Sequence, residues 1–325
     1  MATTVNSDLI IYNDLAQTAY LERMQDVLQV FNEASRGAFV LTNESIEGDF
    51  KRRSLYEIAG GLEHRNVNST AGVGQKNIGA GEAIGVKVPW KYGPYSTTEE
   101  AFKRRVRSLD EFSEVVGQHA ADETLAYYIK AATAALEAAI STNPNLVVSG
   151  SFFNEGKKVL TKGLRKFGDR FGRVAIFAMD ANTYFDLVDD SIDAKVFNEA
   201  DVVIYGGQPG TLGKPVLVSD QLPPDAIFGL QAGAVSIIES QPPGFRSFEI
   251  NDLENLAYGY RAEGVFNLEV LGYSWNADGA GGSAPAPANP NLTQIGTSAN
   301  WVQYANSDKV TAGVLIEITG SAPNT

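Results

Sequence analysis

The sequence predicts an α+β protein in which helices and strands are gathered into separate blocks. Three observations carry this. Over about residues 13–34, Leu15, Ala19, Met24, Val27, Leu28 and Phe31 fall on one helical face. From Thr97 to Ile140 there is no proline and a single glycine, Gly117, while Leu109, Phe112, Val116, Leu125, Tyr128, Ile129, Ala132, Leu136 and Ile140 recur at helical spacing. Residues 202–273 instead carry short β-branched runs parted by Gly and Pro clusters.

Taken in order, the first helix stops at Gly37. A short segment, Ser54–Ala59, reads as helical. Residues 66–85 are glycine-rich, and Val86, Val88 and Trp90 then alternate with Lys87 and Lys91 as a half-exposed strand. Together these predict a long hairpin-like excursion with a flexible tip, closed by Gly93-Pro94. Thr97-Thr98-Glu99-Glu100 has the form of a helix start, with Thr as cap and acids in the first turn. The helix that follows would be roughly 60 Å long at 1.5 Å per residue, or two helices broken near Gly117.

Another helix is predicted over Phe153–Phe167, then a buried strand over Val174–Met179. Asp180-Ala181-Asn182 caps a helix bearing Tyr184, Phe185, Leu187 and Val188. Strands follow at 202–205, 214–218, 227–230 and 234–238, and alternation over 241–273 reads as sheet. Asn276–Pro290 is low in complexity and predicts a linker. Trp301–Tyr304 and Val310–Ile318 read as two strands of a small β appendage on that tether. Its removal would then leave the subunit folded.

Composition narrows the function. The absence of Cys excludes disulfides, thiolate zinc sites and thiol catalysis. Only His64 and His119 are present, too few for a His-rich metal centre or a Ser-His-Asp triad. His119 has Glu123 where a helical metal pair would want a second His. Gly207–Lys214 departs from a phosphate loop, since Gln208 stands in place of the first Gly and Pro215 in place of the hydroxyl residue. No cofactor or metal is therefore expected. The net charge of −13 disfavours sequence-specific nucleic-acid binding. The polar N-terminus lacks the pattern of a signal peptide, and no run of about 18 apolar residues exists. Synthesis in the cytoplasm and no membrane contact are the expectations.

Lys103, Arg104, Arg105 and Arg107 form the one dense basic cluster seen in this reading. It lies at a predicted helix start, where the dipole disfavours positive charge. Contact with an acidic surface of a neighbouring subunit, or with nucleic acid, would offset that cost. The acidic net charge favours the subunit.

The order of parts then resembles a known family. A helical arm, a Gly-tipped hairpin, a long helix and a mixed domain follow one another as in tailed-phage major capsid proteins of the Hong Kong 97 fold. Three stretches carry the likeness: Arg173–Tyr184, a strand, polar turn and aromatic-bearing helix; Leu212–Pro223, with its L-G-x-P-V strand and S-D-x-L-P turn; and Ile227–Ala234, an F-G strand before a small-residue turn. The resemblance spans about residues 1–275.

It implies an N-terminal arm over 1–41 and an extended loop over 42–96 lying on an adjacent subunit. A peripheral domain with a spine helix would cover 97–152, an axial domain 153–242, a return to the peripheral domain 243–275, and the linker and appendage 276–325. Lys103, Arg104, Arg105, Arg107, Trp90, Gly207 and Pro209 would be subunit contacts, the two last in an axis-proximal loop. The arm and loop would have little core of their own and would order on neighbours. The implied function is structural and non-enzymatic: self-assembly as hexamers and pentamers into an icosahedral shell around double-stranded DNA, located in the virion. Implied partners are further copies of the chain, a separate scaffold protein, a portal and a cement or decoration protein, with DNA touched only non-specifically. An encapsulin-like nanocompartment and an α+β enzyme with an acidic site stay open as alternatives.

Overall fold

The computed structural model describes residues 6–58, 62–72, 74, 78–98, 100, 104, 109–193, 213–250, 252, 254–255 and 257–319. The first helix, α1 (Asn6–Ala34), is followed by Gly37, whose positive φ of 69° suits a residue without Cβ. Three strands follow, β1 (Phe39–Asn43), β2 (Phe50–Ile58) and β3 (Ile78–Thr98). Ser54–Ile58, expected to be helical, is extended because its partner strand is adjacent in sequence. Thr97 and Thr98, expected to cap a helix, instead end β3.

The long helix α2 (Leu109–Ser141) is continuous through Gly117. The glycine does not break it; it lets α1 approach. A Cβ at Gly117 would lie 2.4 Å from the Ala16 carbonyl oxygen. Much of the buried side of α2 is alanine, from Ala120 and Ala121 to Ala138 and Ala139, which favours helix and admits close neighbours. Ala16, Tyr20 and Met24 of α1 are buried, and Arg23 pairs with Asp122 at 2.9 Å. The N-terminal helix thus has a core within its own subunit over these residues, contrary to the expectation for an arm.

The predicted helix over 153–167 is divided at Gly156 (φ 54°) into α3 (Phe152–Glu155) and α4 (Lys158–Arg165), after the short strand β4 (Val147–Gly150). The buried strand β5 (Val174–Met179) and helix α5 (Ala181–Asp193) fall as predicted. The Asp180 carboxylate accepts from the Thr183 N–H at 3.0 Å, the expected cap. Then come β6 (Val216–Val218), β7 (Ala226–Gln231), β8 (Val235–Ile250), β9 (Ala257–Val270), β10 (Tyr273–Trp275), α6 (Leu292–Ile295), β11 (Trp301–Gln303) and β12 (Gly313–Ile318).

Among the described residues the strands form two sheets. One has seven strands in the order β1-β8-β9-β10-β11, with β3 also paired to β9 and β2 to β3. The other has the order β4-β12-β7-β5-β6. Both sheets and both long helices share one buried cluster. Gly163 of α4 faces Ile316, whose Cδ1 would be 2.5 Å from a Cβ there. Side chains alternate along β12, so Glu317 points to the other face, where its charge raises the pKa of Glu137 on α2 in addition to the larger effect of burial. The second sheet is therefore covered on both faces.

The C-terminal segment is not an appendage. β12 lies between β4 and β7, pairing Leu315 with both Val147 and Phe228. Val314, Leu315 and Ile316 are buried. β11 pairs with β10, and Trp301 meets Trp275 edge-on at 5.1 Å. The expected linker is also packed. Ala286 is buried, its N–H donates to the Asn276 carbonyl at 2.9 Å, and the Trp275 indole N–H reaches the Pro287 carbonyl at 3.1 Å. Two aromatic anchors, one on each side, hold a low-complexity stretch against the core.

Candidate assembly surface

Among the described residues a long exposed feature is the β2–β3 hairpin. Nine residue pairs run from Phe50↔Val86 to Ile58↔Ile78. β9 pairs with β3 only from Val86 onward. Beyond that point the hairpin is, among the described residues, a two-stranded ribbon without a third strand, roughly 30 Å long at 3.4 Å per residue. A two-stranded ribbon is marginal in water unless it packs on something else. Tyr56, Leu62 and Val67 are exposed, and so is every described residue from 62 to 72.

The base of the ribbon is held firmly. Lys51 pairs with Glu44 at 2.5 Å, which holds the Glu44 carboxyl below the usual carboxylate range. Arg52 binds Asp278 at 3.1 Å and Glu82 at 2.9 Å. Arg53 pairs with Glu269 at 3.2 Å. Lys87 donates to the Ile46 carbonyl at 2.6 Å inside the protein, and the Ile84 N–H donates to Ser274 Oγ at 2.9 Å. Gly85 permits close approach: a Cβ would lie 2.6 Å from Glu269 Cγ. Ion pairs open to solvent add little stability, so their role is to set the direction of the ribbon.

Trp90 is half-buried at the opposite half of β3. Its ring covers Gly264, where a Cβ would meet Cζ2 at 2.5 Å. It lines a groove of about 380 Å³ between β3 and α2, with Tyr92, Tyr95, Glu123 and Tyr127. The Tyr92 hydroxyl and His119 Nδ1 are 2.8 Å apart. Burial, with a smaller push from Tyr95 and Glu123, raises the Tyr92 phenol to about 12. Gly93-Pro94 is a cis peptide at an irregularity in the β3–β9 ladder between Tyr92 and Tyr95, and the strand continues past it. It does not close the excursion.

The remaining predicted contacts are less informative. Arg104 pairs with Glu100 at 2.6 Å, one helical turn away. This local acid offsets part of the cost that motivated the reading. Lys103, Arg105, Arg107, Gly207 and Pro209 lie outside the described residues. Trp90 and Arg104 are not brought into one contact. A second basic cluster went unread: residues 157–173 hold Lys157, Lys158, Lys162, Arg165, Lys166, Arg170 and Arg173. Its signal was charge density alone, diluted by the apolar face of α4.

Among the described residues no three His, Asp or Glu side chains converge as metal ligands. No described helix is long and apolar enough to cross a membrane.

The chain thus combines an exposed ribbon, a long helix and a five-stranded sheet on a shared core, and solved structures show the same fold. A chain from Mycobacterium phage Bobi is 14% identical, with a TM-score of 0.52 over 89% of this chain and 91% of that one. A chain from Microbacterium phage Oxtober96 is 12% identical, with a TM-score of 0.51 over 73% and 84%. One from Mycobacterium phage Adephagia is 11% identical, with a TM-score of 0.50 over 88% and 89%. The fold is the Hong Kong 97-like capsid fold. No match was found among curated proteins. The chain belongs to the Gp13-like family, Major capsid protein 13-like, whose model matches residues 8–315. The match extends past residue 275, where the sequence-based likeness stopped, and reaches the first half of β12. The protein is a major capsid protein of tailed phages and a structural protein, not an enzyme.

Proposed function

We propose that the chain assembles with itself as hexamers and pentamers into an icosahedral shell that encloses phage double-stranded DNA. The ribbon carries the proposal. It is aimed at its base by Asp278, Glu269 and Ser274, has no third strand beyond Val86 among the described residues, and exposes Tyr56, with Leu62 and Val67 in the segment that follows β2. A neighbouring copy is the surface that would complete it. Many modest contacts of this kind hold a shell through multivalency. A scaffold protein encoded separately, a portal and a decoration protein complete the proposed set of partners, and DNA is met through its backbone only.

The test is electron microscopy and sedimentation of the purified full chain. Closed particles with five-fold and six-fold clusters are the predicted result. A monomer of 34.9 kDa at all concentrations would contradict the proposal.

A further inference from the structure

Charge is segregated along the five-stranded lobe. Exposed Arg165, Lys166, Arg170 and Arg173 lie between the end of α4 and the start of β5. None of the four takes part in an ion pair among the described residues, whereas nearby Glu155 and Asp169 are already paired, with Lys162 and Lys309. Phe171 is 55% exposed in their midst. Lys214 adds to this end, donating to the Val174 carbonyl. Lys157 and Lys158 are the exceptions, being at the start of α4.

The other end of β5 is acidic. Asp180 follows Met179, Asp220 follows the parallel strand β6, and Asp225 precedes β7, whose Ile227 pairs with Met179. Asp186 and Asp189 are exposed on α5, and Phe185 is 61% exposed beside them. Burial and then the charges of Asp189, Asp225 and Asp180 push the Asp186 carboxyl up, so the acids crowd one another, and none of Asp186, Asp189 and Asp225 takes part in an ion pair among the described residues. The two ends are separated by six residues of β5, roughly 20 Å at 3.3 Å per residue.

A patch that binds its like makes a two-fold dimer, whereas two different complementary patches on one chain make a head-to-tail contact that closes into rings. We propose that the basic end at Arg165, Lys166, Arg170 and Arg173 docks on the acidic end at Asp186, Asp189 and Asp225 of a second copy, and that this contact closes the ring of each capsomer. Each end carries an exposed aromatic and charges of one sign, and exposed charges set register and encounter between partners. A phosphate backbone would satisfy the basic end but leave the acidic end and Phe185 uncovered, so the second copy is favoured. The inference rests on the shell reading above.

The experiment compares the full-length wild type with Lys166→Glu/Arg170→Glu, with Asp186→Lys/Asp189→Lys and with the fourfold charge swap, by electron microscopy, with circular dichroism as a control for folding. Each one-ended reversal places like charges together and should lower the yield of closed particles by at least about tenfold, and the swap should restore most of it. The neutral pair Lys166→Gln/Arg170→Gln, which asks less of folding, should weaken assembly several-fold and flatten its salt dependence. One-ended reversals or a neutral pair that assemble like wild type, or a swap no better than its parents, would overturn the proposal. So would reversed shells that form normally but retain less DNA, since the basic end would then face the genome. Absence of particles from the wild type itself would count against the shell reading, and the ring contact would fall with it.

Discussion

The hairpin tip and the segment after Trp275 are both rich in small residues, yet they have opposite fates. Residues 62–72 stand exposed throughout, while the segment 276–290 is pinned to the core at buried Asn276, Ala286 and Pro290, with 282–285 exposed between them. Glycine and proline do not explain the difference. Trp275 and Trp301 bracket the second segment and meet edge-on in the interior, so the chain between them is drawn in. Around the tip, Tyr56, Leu62 and Val67 are exposed and find no such partner among the described residues. A low-complexity stretch follows its nearest buried anchors. One without anchors is free to serve a neighbour.

The largest effect should come from breaking the anchored side. Removing residues 276–318 deletes β12 from the middle of a sheet and should abolish cooperative unfolding and soluble yield. A folded subunit after that deletion would restore the tethered-appendage reading. Trp301→Ala, which empties one half of the anchor, should cost about 3–5 kcal/mol in denaturant unfolding.

Gly117→Ala sharpens the comparison between α1 and α2. Helix propensity alone would favour alanine by about 1 kcal/mol. The clash with the Ala16 carbonyl, at 2.4 Å, should outweigh it, as overpacking costs about 1–3 kcal/mol. A lower melting temperature is the expected sign, and a higher one would mean that α1 yields freely.

A smaller effect is expected in the groove beside Trp90. Tyr92→Phe removes the contact with His119 and should cost about 1 kcal/mol or less. The Tyr92 phenol is raised in the folded state, to about 12 from an ordinary value of 10.0. Its stabilising contribution is therefore complete below pH 10 and is lost as pH rises through about 12. The alkaline decline in stability should be shallower in Tyr92→Phe, as followed by thermal unfolding across that window.

Much of the fold was legible because its signals are local. Val174–Met179 is a continuous apolar run, Asp180 is a side-chain cap three residues from its partner, and the Gly-rich excursion lies between two strands adjacent in sequence. The placement of β12 was not legible. It pairs with Val147 and with Phe228, both more than eighty residues away, and no local pattern names a partner at that distance. Thr97-Thr98 misled because a cap motif was outweighed by ladder pairing with Tyr258 and Ala257. Gly117 was legible as special, but approach and breakage leave the same mark in a sequence. Of the hairpin, the second strand was legible from the alternation of Val86, Val88 and Trp90, whereas the first was read as helical over Ser54–Ala59. The charges proposed to close the ring were not legible because the cations are spread through an amphipathic helix and a turn.

The exposed side of the comparison is tested most directly by replacing residues 62–72 with a short Gly-Ser turn and comparing the variant with wild type by sedimentation and electron microscopy. Subunit stability should move by no more than about 0.5 kcal/mol, as for surface changes away from any core, while closed particles should disappear. Normal shells from the variant would contradict the claim that this hairpin is completed by a neighbouring copy.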